Sequence, residues 1–329
     1  MNQKDIKRIL IGFIIVLFGI IIVNNVLLVY QKNIDKNEDG WEKYENNPVL
    51  GDELTASLFD PYVFVDENGT YRMYVSWRKK GAIAVTTSED GINWSELKIV
   101  LDKDTSTGWE DIVNRATVVY KDGIYHMWYT GQSNRISKIG YATSEDGYTF
   151  NKRNEPVIIN EKEWEKDSVM NPHVIYDEDE DVFKMWYAAG ETYEPDVIAY
   201  ATSKDGINWD KYSGNPILKA NENKSALDSF KVGGCDVHKL SNDSYIMFYI
   251  GYTDINTARI FVAKSQDGIN WVRTGKPIIV PEKGKFDSEA CYKPSAILDS
   301  KNNRWMLWYN GRTLNREYIG LAIYNKDEI

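Results

Sequence analysis

One eight-residue phrase returns four times along the chain, and its spacing leaves few folds open. TSEDGINW (87–94) comes back as TSEDGYTF (143–150), TSKDGINW (202–209) and KSQDGINW (264–271), with Gly91, Gly147, Gly206 and Gly268 separated by 56, 59 and 62 residues. Periods of this size belong to repeat architectures, in which each unit buries its apolar face on its neighbours. Each phrase follows an alternating apolar run, AIAVTTS, IGYATS, VIAYATS or IFVAKS. Such alternation reads as a strand, and the Asp-Gly behind it as a tight turn.

Two more strands precede each of these. A second strand reads YRMYVSW (71–77), YHMWYTG (125–131), FKMWYAA (183–189), YIMFYIG (245–251) and WMLWYNG (305–311). An inner strand stands upstream of it: PYVFV (61–65), ATVVY (116–120), PHVIY (172–176), DVHKL (236–240) and PSAIL (294–298). A short fourth strand, such as NPIL (215–218) or KPIIV (276–280), follows the turn. Four antiparallel strands in a unit of about 60 residues is the arithmetic of a β-propeller blade.

The first two strands occur five times, but the turn and fourth strand follow only four of them. The fifth unit stops at IGLAIYNKDEI (319–329). Its missing strand is supplied from the other end of the chain, where WEKYENNPVL (41–50) nearly copies WDKYSGNPIL (209–218). The expected fold is therefore all-β, a five-bladed β-propeller over 41–329 closed by an N-terminal strand, which leaves no free edge at the seam. The aromatic residues of the second strands recur with the blades, so they are expected to pack blade against blade and not to stack sugars. The S-x-D-G-x-x-W phrase resembles the Asp-box of sialidases with one residue fewer, and is read as a structural turn.

The first residues behave differently. Lys4, Lys7 and Arg8 precede an apolar run, 9–30, broken only by Asn24 and Asn25. Twenty-two residues span roughly 33 Å as a helix, enough to cross a bilayer core. No small-residue cleavage site follows, so the run reads as an uncleaved signal anchor. A basic tail at 1–8, the transmembrane anchor at 9–30 and a stalk at 31–40 would place the propeller on the extracytoplasmic side of the cell membrane. A net charge of −10 without a basic block argues against a nucleic-acid partner. Two cysteines, Cys235 and Cys291, form neither a disulfide framework nor a metal-binding pattern. One bridge and two separate buried thiols both fit them, and no metal or cofactor is expected.

Repeats hold structure, so their departures carry function. Aligned on the residue that opens each inner strand, the preceding positions are Asp60, Arg115, Asn171, Cys235 and Lys293. Four or five residues earlier stand Thr55, Asp111, Asp167, Lys231 and Glu289. In a propeller these segments form one mouth of the central channel. Carboxylates and cations converging in a partly desolvated cleft are how acid and base roles are separated.

Asp60-Pro61 resembles the D-P-x-V that opens the first blade of five-bladed propeller glycosidases, the arabinanase and β-xylosidase type of glycoside hydrolase family 43. That resemblance implies a general base at Asp60 and a carbohydrate substrate. Where the group has Asp-Pro in the second blade this chain has Asn114-Arg115-Ala116, and where it has Glu-Gly-Pro in the third, Met170-Asn171-Pro172. The fifth blade, FDSEACYKPSAI (286–297) followed by MLWYNGR (306–312), is similar to a looser set of propellers associated with polysaccharide loci. It points to Glu289 as the acid, with Asp111 or Asp167 in reserve. Arg115, Asn171, Asp236, His238, Lys293 and Arg312 are then the expected substrate-binding residues. The invertase and levansucrase group is a poorer likeness, because its N-D-P-N-G and R-D-P phrases are absent. The expected activity is glycoside hydrolysis with inversion by paired carboxylates. A non-catalytic glycan-binding or polysaccharide-assembly propeller, and transfer to phosphate or another sugar, are the alternatives.

Overall fold

The computed structural model describes residues 40–326 and 329. The tail, the anchor and all of the stalk except Gly40 lie outside the described residues. Among those described, no helix is long and apolar enough to cross a membrane. The architecture is all-β and propeller-like, with no α-helix among the described residues.

A short first strand, β1 (Trp41–Lys43), precedes β2 (Leu58–Val65), β3 (Tyr71–Trp77), β4 (Ala82–Ser88) and β5 (Lys98–Leu101). Next come β6 (Ile112–Lys121), β7 (Ile124–Ser133), β8 (Ile136–Ser144) and β9 (Asn151–Lys152), then β10 (Ser168–Asp177), β11 (Val182–Gly190), β12 (Pro195–Ser203) and β13 (Asp210–Lys211). The remainder are β14 (Lys231–Lys239), β15 (Tyr245–Asp254), β16 (Thr257–Ser265), β17 (Val272–Ile279), β18 (Ala290–Asp299), β19 (Arg304–Thr313) and β20 (Arg316–Tyr324). Antiparallel pairing runs β2 to β5, β6 to β9, β10 to β13, β14 to β17, and β18-β19-β20-β1.

The pairing of β1 with β20 explains the near-copy in the sequence. Trp41 lies opposite Tyr324 and Lys43 opposite Ala322. The Asn47 side chain donates to Leu321 O (2.8 Å) and accepts from Leu321 N (2.8 Å). Asn215 makes the same two bonds to Tyr200 in the third group (2.8 Å each). Each Asn thus acts as a backbone surrogate where the strand has ended, which keeps buried peptide groups paired.

The repeated phrase is a turn that neighbouring groups lean on. In its first copy, Ser88 Oγ accepts from Gly91 N and Asp90 Oδ1 accepts from Ile92 N and Asn93 N, an arrangement the other three copies reproduce. The glycine carbonyl then accepts a hydrogen bond from the adjoining group: Trp308 Nε1 to Gly91 O, Trp128 to Gly206 and Trp186 to Gly268 at 2.8 Å, with Tyr74 Oη to Gly147 O also 2.8 Å. The fifth group has no such turn, and the matching aromatic facing it is Phe248, which has no proton to donate. Phe248 packs against Trp41 instead, ring centroids 6.0 Å apart. The aromatic residues of the second strands therefore pack group against group, as their recurrence implied.

Around the axis, five side chains on the inner strands reach sideways to the next group's backbone. Tyr62 Oη donates to Val118 O (2.8 Å), His173 Nε2 lies 2.9 Å from Val237 O, and Val63 N donates to Ser295 Oγ (2.8 Å). Ala296 N donates to Asp236 Oδ2 (2.7 Å) and Val174 N to Thr117 Oγ1 (3.4 Å). Both cysteines are free, buried thiols.

Candidate functional site

The residue before each inner strand's core segment occupies a β-bulge. Between Phe59, paired with Ser76, and Tyr62, paired with Tyr74, two residues oppose one, and the same break recurs after Asn114, Met170 and Tyr292. Asp60 (φ 50°), Arg115 (58°), Asn171 (51°) and Lys293 (28°) all hold left-handed backbone there. Bulges bend a strand and re-aim a side chain, and non-glycine residues at positive φ are uncommon and strained. In the fourth group the register corrects the sequence alignment by one residue. Cys235 pairs with Tyr249 and Asp236 with Phe248, so Gly234 stands at the bulge position where the alignment had placed Cys235. The alignment slipped because this strand has no proline to mark its opening.

Asp60, Arg115, Asn171 and Arg312 come together on one cavity of about 240 Å3, which is also lined by Phe59, Arg78, Glu194, Tyr252, Tyr292, Asn310 and Glu317. Arg115 Nε lies 3.0 Å from Asp60 Oδ2, and the guanidiniums of Arg78 and Arg115 stand 4.2 and 5.6 Å from the centre of the Phe59 ring. Asn310 links two of the acids, accepting from Asp60 N (3.1 Å) and donating to Glu317 Oε1 (3.2 Å). Arg78 Nε in turn donates to Glu317 (3.0 Å). The side chains of Asp60, Arg115, Asn171, Tyr292 and Arg312 each carry a buried polar atom with no aligned hydrogen bond within the protein. Asp60 Oδ2 and Arg115 Nε nonetheless form an ion pair, so geometry and not distance leaves them unaligned. Such groups are costly to bury unless something completes them.

Two of the cavity's acids escaped the sequence reading. Glu194 lies in the insertion GETYEPD (190–196), whose backbone is pinned by Lys231: its Nζ donates to Glu194 O (2.9 Å) and to Glu191 Oε2 (2.6 Å). The Glu194 carboxyl is pushed above the ordinary range by burial, against the opposing pull of its hydrogen bond with Tyr252 and the charges of Arg115 and Arg312. Glu317, at the start of β20, is raised in the same direction by burial, partly offset by Arg78. The length of the 190–196 insertion was the available signal for Glu194. For Glu317 the sequence offers only a charged residue at a hairpin foot, which is ordinary.

The other expected residues lie elsewhere. Glu289 does not line the cavity; it is half-exposed and grips Arg312 from behind, Nε to Oε2 3.2 Å, while Arg312 Nη2 donates to Asn256 O (2.7 Å). Asp111 accepts from Ser133 Oγ (2.6 Å) away from the cavity. Asp167 is exposed on an adjoining cavity of about 940 Å3 that shares Tyr193, Glu194 and Arg312 with the first. Lys293 is buried, with Nζ donating to Cys235 O (2.7 Å). Asp236 is buried between His173 Nδ1 (3.1 Å) and His238 Nε2 (2.8 Å). Desolvation alone would raise its carboxyl, but the two imidazoles outweigh it and hold it well below the usual range. Lys293, Asp236 and His238 do not line the cavity that holds Asp60.

Known proteins share parts of this sequence and its fold. The family model described as β-1,4-mannooligosaccharide phosphorylase, glycosyl hydrolase family 130, matches residues 102–328. A second, the glycosyl hydrolases family 32 N-terminal domain, matches 25–113, the segment that carries Asp60. A 1,2-β-oligomannan phosphorylase of Thermoanaerobacter sp. (strain X514) is 27% identical over 243 residues, covering 70% of this chain and 75% of that protein. Among solved structures, a thermostable family-43 glycoside hydrolase superposes with a TM-score of 0.66 at 20% identity, covering 84% and 91% of the two chains. Another is described by the statement that the family of mannoside phosphorylases numbered 130 contains glycoside hydrolases that target β-1,2 mannosidic linkages in Candida mannan. It superposes at 0.68 with 17% identity, over 89% and 97%. At these identities the superpositions speak for the fold alone.

Proposed function

The chain belongs to glycosyl hydrolase family 130, and on that premise we propose that it cleaves β-mannosidic bonds of an oligosaccharide, with phosphate as the attacking group. The observation that carries this reading is the pairing of three guanidiniums, Arg78, Arg115 and Arg312, with two carboxyls pushed toward their neutral forms, Glu194 and Glu317, on one small cavity. Carboxyls raised by burial set less negative charge against the arginines than ordinary ones would, which suits a dianion. Planar guanidinium forks match phosphate oxygens.

In this mechanism Glu194 gives its proton to the glycosidic oxygen as the bond to the anomeric carbon breaks. A phosphate oxygen, approaching from the opposite face, forms the new bond, so the configuration inverts and a sugar 1-phosphate leaves with the shortened glycan. The transition state carries oxocarbenium character, and Asp60, fixed by its backbone bond to Asn310 and its ion pair with Arg115, supplies negative charge beside it. Glu289 acts through Arg312 as a positioning residue, and Asn171 offers an unpaired amide oxygen to a sugar hydroxyl. Hydrolysis is the second reading, favoured by the same Asp60: with water in place of phosphate, its carboxylate, held by Arg115 through one oxygen, takes the water's proton.

The supporting frame is a propeller of five blades closed by β1, carried outside the cytoplasm on the apolar run 9–30. The test is product analysis with β-1,2- and β-1,4-mannooligosaccharides, with and without inorganic phosphate. Phosphate-dependent release of a mannose 1-phosphate supports the reading. Equal release of free mannose in both mixtures replaces it with hydrolysis, and no cleavage of either series overturns both.

A further inference from the structure

The inner strands have a second end. Opposite the mouth, the far ends of β2, β6 and β10 enclose a cavity of about 1010 Å3, larger than the one holding Asp60. Its walls include Phe64, Tyr120, Tyr125 and Tyr176, and its rim carries Lys121 and Glu178 among other charged groups. The cavity departs from the repeat. Three residues beyond Tyr62, Thr117, His173, Asp236 and Ser295, which occupy one register position, stand Val65, Tyr120, Tyr176, Lys239 and Leu298, so aromatic rings at this level belong to only two adjoining groups. Not all of these rings are equally free. Arg72 stands over the Tyr125 ring (5.4 Å) and Lys121 over that of Tyr176 (4.7 Å). The Tyr120 and Tyr125 ring centroids lie 4.6 Å apart in a tilted pair, no cation among the described residues stands over Tyr120, and it is 44% exposed.

We propose that this cavity is a second, non-catalytic glycan-binding site, with Tyr120 as the platform for a sugar ring of a neutral polysaccharide. The proposal rests on the reading of the enzyme as glycan-active. Tyrosine offers an apolar face with a polar tip, which fits a ring that shows C–H bonds on one side and hydroxyls at its edge. The cavity is of a size that takes several sugar units. Its rim mixes both signs of charge, with acids (Asp66, Glu67, Asp122, Glu178) outnumbering Arg72 and Lys121, which disfavours a phosphate or other polyanion. Because this end faces away from Asp60, a chain held here would anchor the polymer while the mouth works on one of its ends.

The experiment is affinity electrophoresis of the full-length protein, in mild detergent, through gels containing soluble mannan, alongside cleavage of a short mannooligosaccharide, for wild type, Tyr120→Ala and Asp60→Asn. The expected result is retardation of wild type and D60N, a loss of retention of about tenfold for Y120A, and unchanged short-substrate cleavage by Y120A. Equal retention of Y120A and wild type, or no retention of wild type on mannan that it cleaves, overturns the second site and leaves the catalytic reading standing. Wild type that cleaves no mannooligosaccharide overturns the catalytic reading itself. Y120A with weakened cleavage of the short substrate, at unchanged melting temperature, also overturns the separation of the two sites.

Discussion

Glu110, Glu165, Asp228 and Asp287 are buried in one repeated environment, whereas Asp60, Glu194 and Glu317 at the mouth each have a different one. In the repeated case the acid accepts from a tyrosine on the second strand and a cation two residues past the aromatic of the repeat phrase. Tyr129 and Lys152 meet Glu110 (2.8 and 2.9 Å), Tyr187 and Lys211 meet Glu165 (3.1 and 2.8 Å), and Tyr249 and Arg273 meet Asp228 (2.9 and 2.8 Å). In the last group Tyr309 meets Asp287 at 2.9 Å, and the cation is Lys43 of β1, at 2.6 Å. The first group has Val75 and Glu96 at the matching positions and builds no such triad. At the mouth, by contrast, carboxyls and guanidiniums differ from group to group, and Asp60, Arg115, Asn171, Tyr292 and Arg312 each leave a buried polar atom unaligned, as Asp287 alone does among the four repeated acids. Paired charges hold the fold; in the proposed function the incompletely paired ones at the mouth meet the substrate.

The contrast can be broken from both sides. The largest effect is expected at the mouth: Asp60→Asn and Glu194→Gln should each lower kcat by about 10²–10⁴-fold while the urea midpoint stays close to wild type. A stable, fully active E194Q would remove Glu194 from the chemistry. The reciprocal change is Lys211→Met, which strands the fully buried Glu165. Removing one partner of such a pair costs about 3–5 kcal/mol, so the urea midpoint should fall sharply while kcat, measured where the variant remains folded, is little altered. An unshifted midpoint would show that the repeated triads do not hold the groups together.

A pH profile sharpens the mouth side. Glu194 is raised by burial and in the proposed mechanism donates a proton, so activity should be present while it is protonated and fall as pH rises through its elevated pKa; E194Q should lack that alkaline limb. The same sign governs stability. A carboxyl raised in the folded state binds more protons there than in the unfolded chain, so its contribution is full below the unfolded value and is lost as pH rises through the folded one. E317Q should therefore flatten part of the stability loss on the way to neutrality, as read by thermal melts at several pH values.

Smaller effects probe the seam. Asn47→Ala removes both surrogate bonds to Leu321 and should cost about 1–3 kcal/mol, with Asn215→Ala as its internal match. If N47A melts as wild type while N215A does not, the two phrases are not equivalent. Tyr74→Phe deletes one hydroxyl bond to Gly147 O while keeping the ring, and should cost about 1 kcal/mol, the least of the series.

The sequence alone determined what repeats. Period, alternation and the Asp-Gly turns announced four-strand units, the phrase at 41–50 announced the partner of β20, and the aromatic pattern announced group-to-group packing. Each is a local pattern written several times, and repetition separates it from chance. Family likeness and position also pointed to Asp60, Arg115, Asn171 and Arg312. What only the tertiary structure decided is which acids share their cavity. The place of Glu289 near a cation before proline points to it in the sequence, but its half-exposed side chain braces Arg312 instead of lining the cavity. Glu194 and Glu317 come from an insertion and a hairpin foot with no repeat to align them, and they reach the cavity because Lys231 pins one loop and Asn310 links β19 to β20. A singular side chain carries no period, and its direction is set by bulges, strained φ values and long-range bonds that exist only once the groups have met.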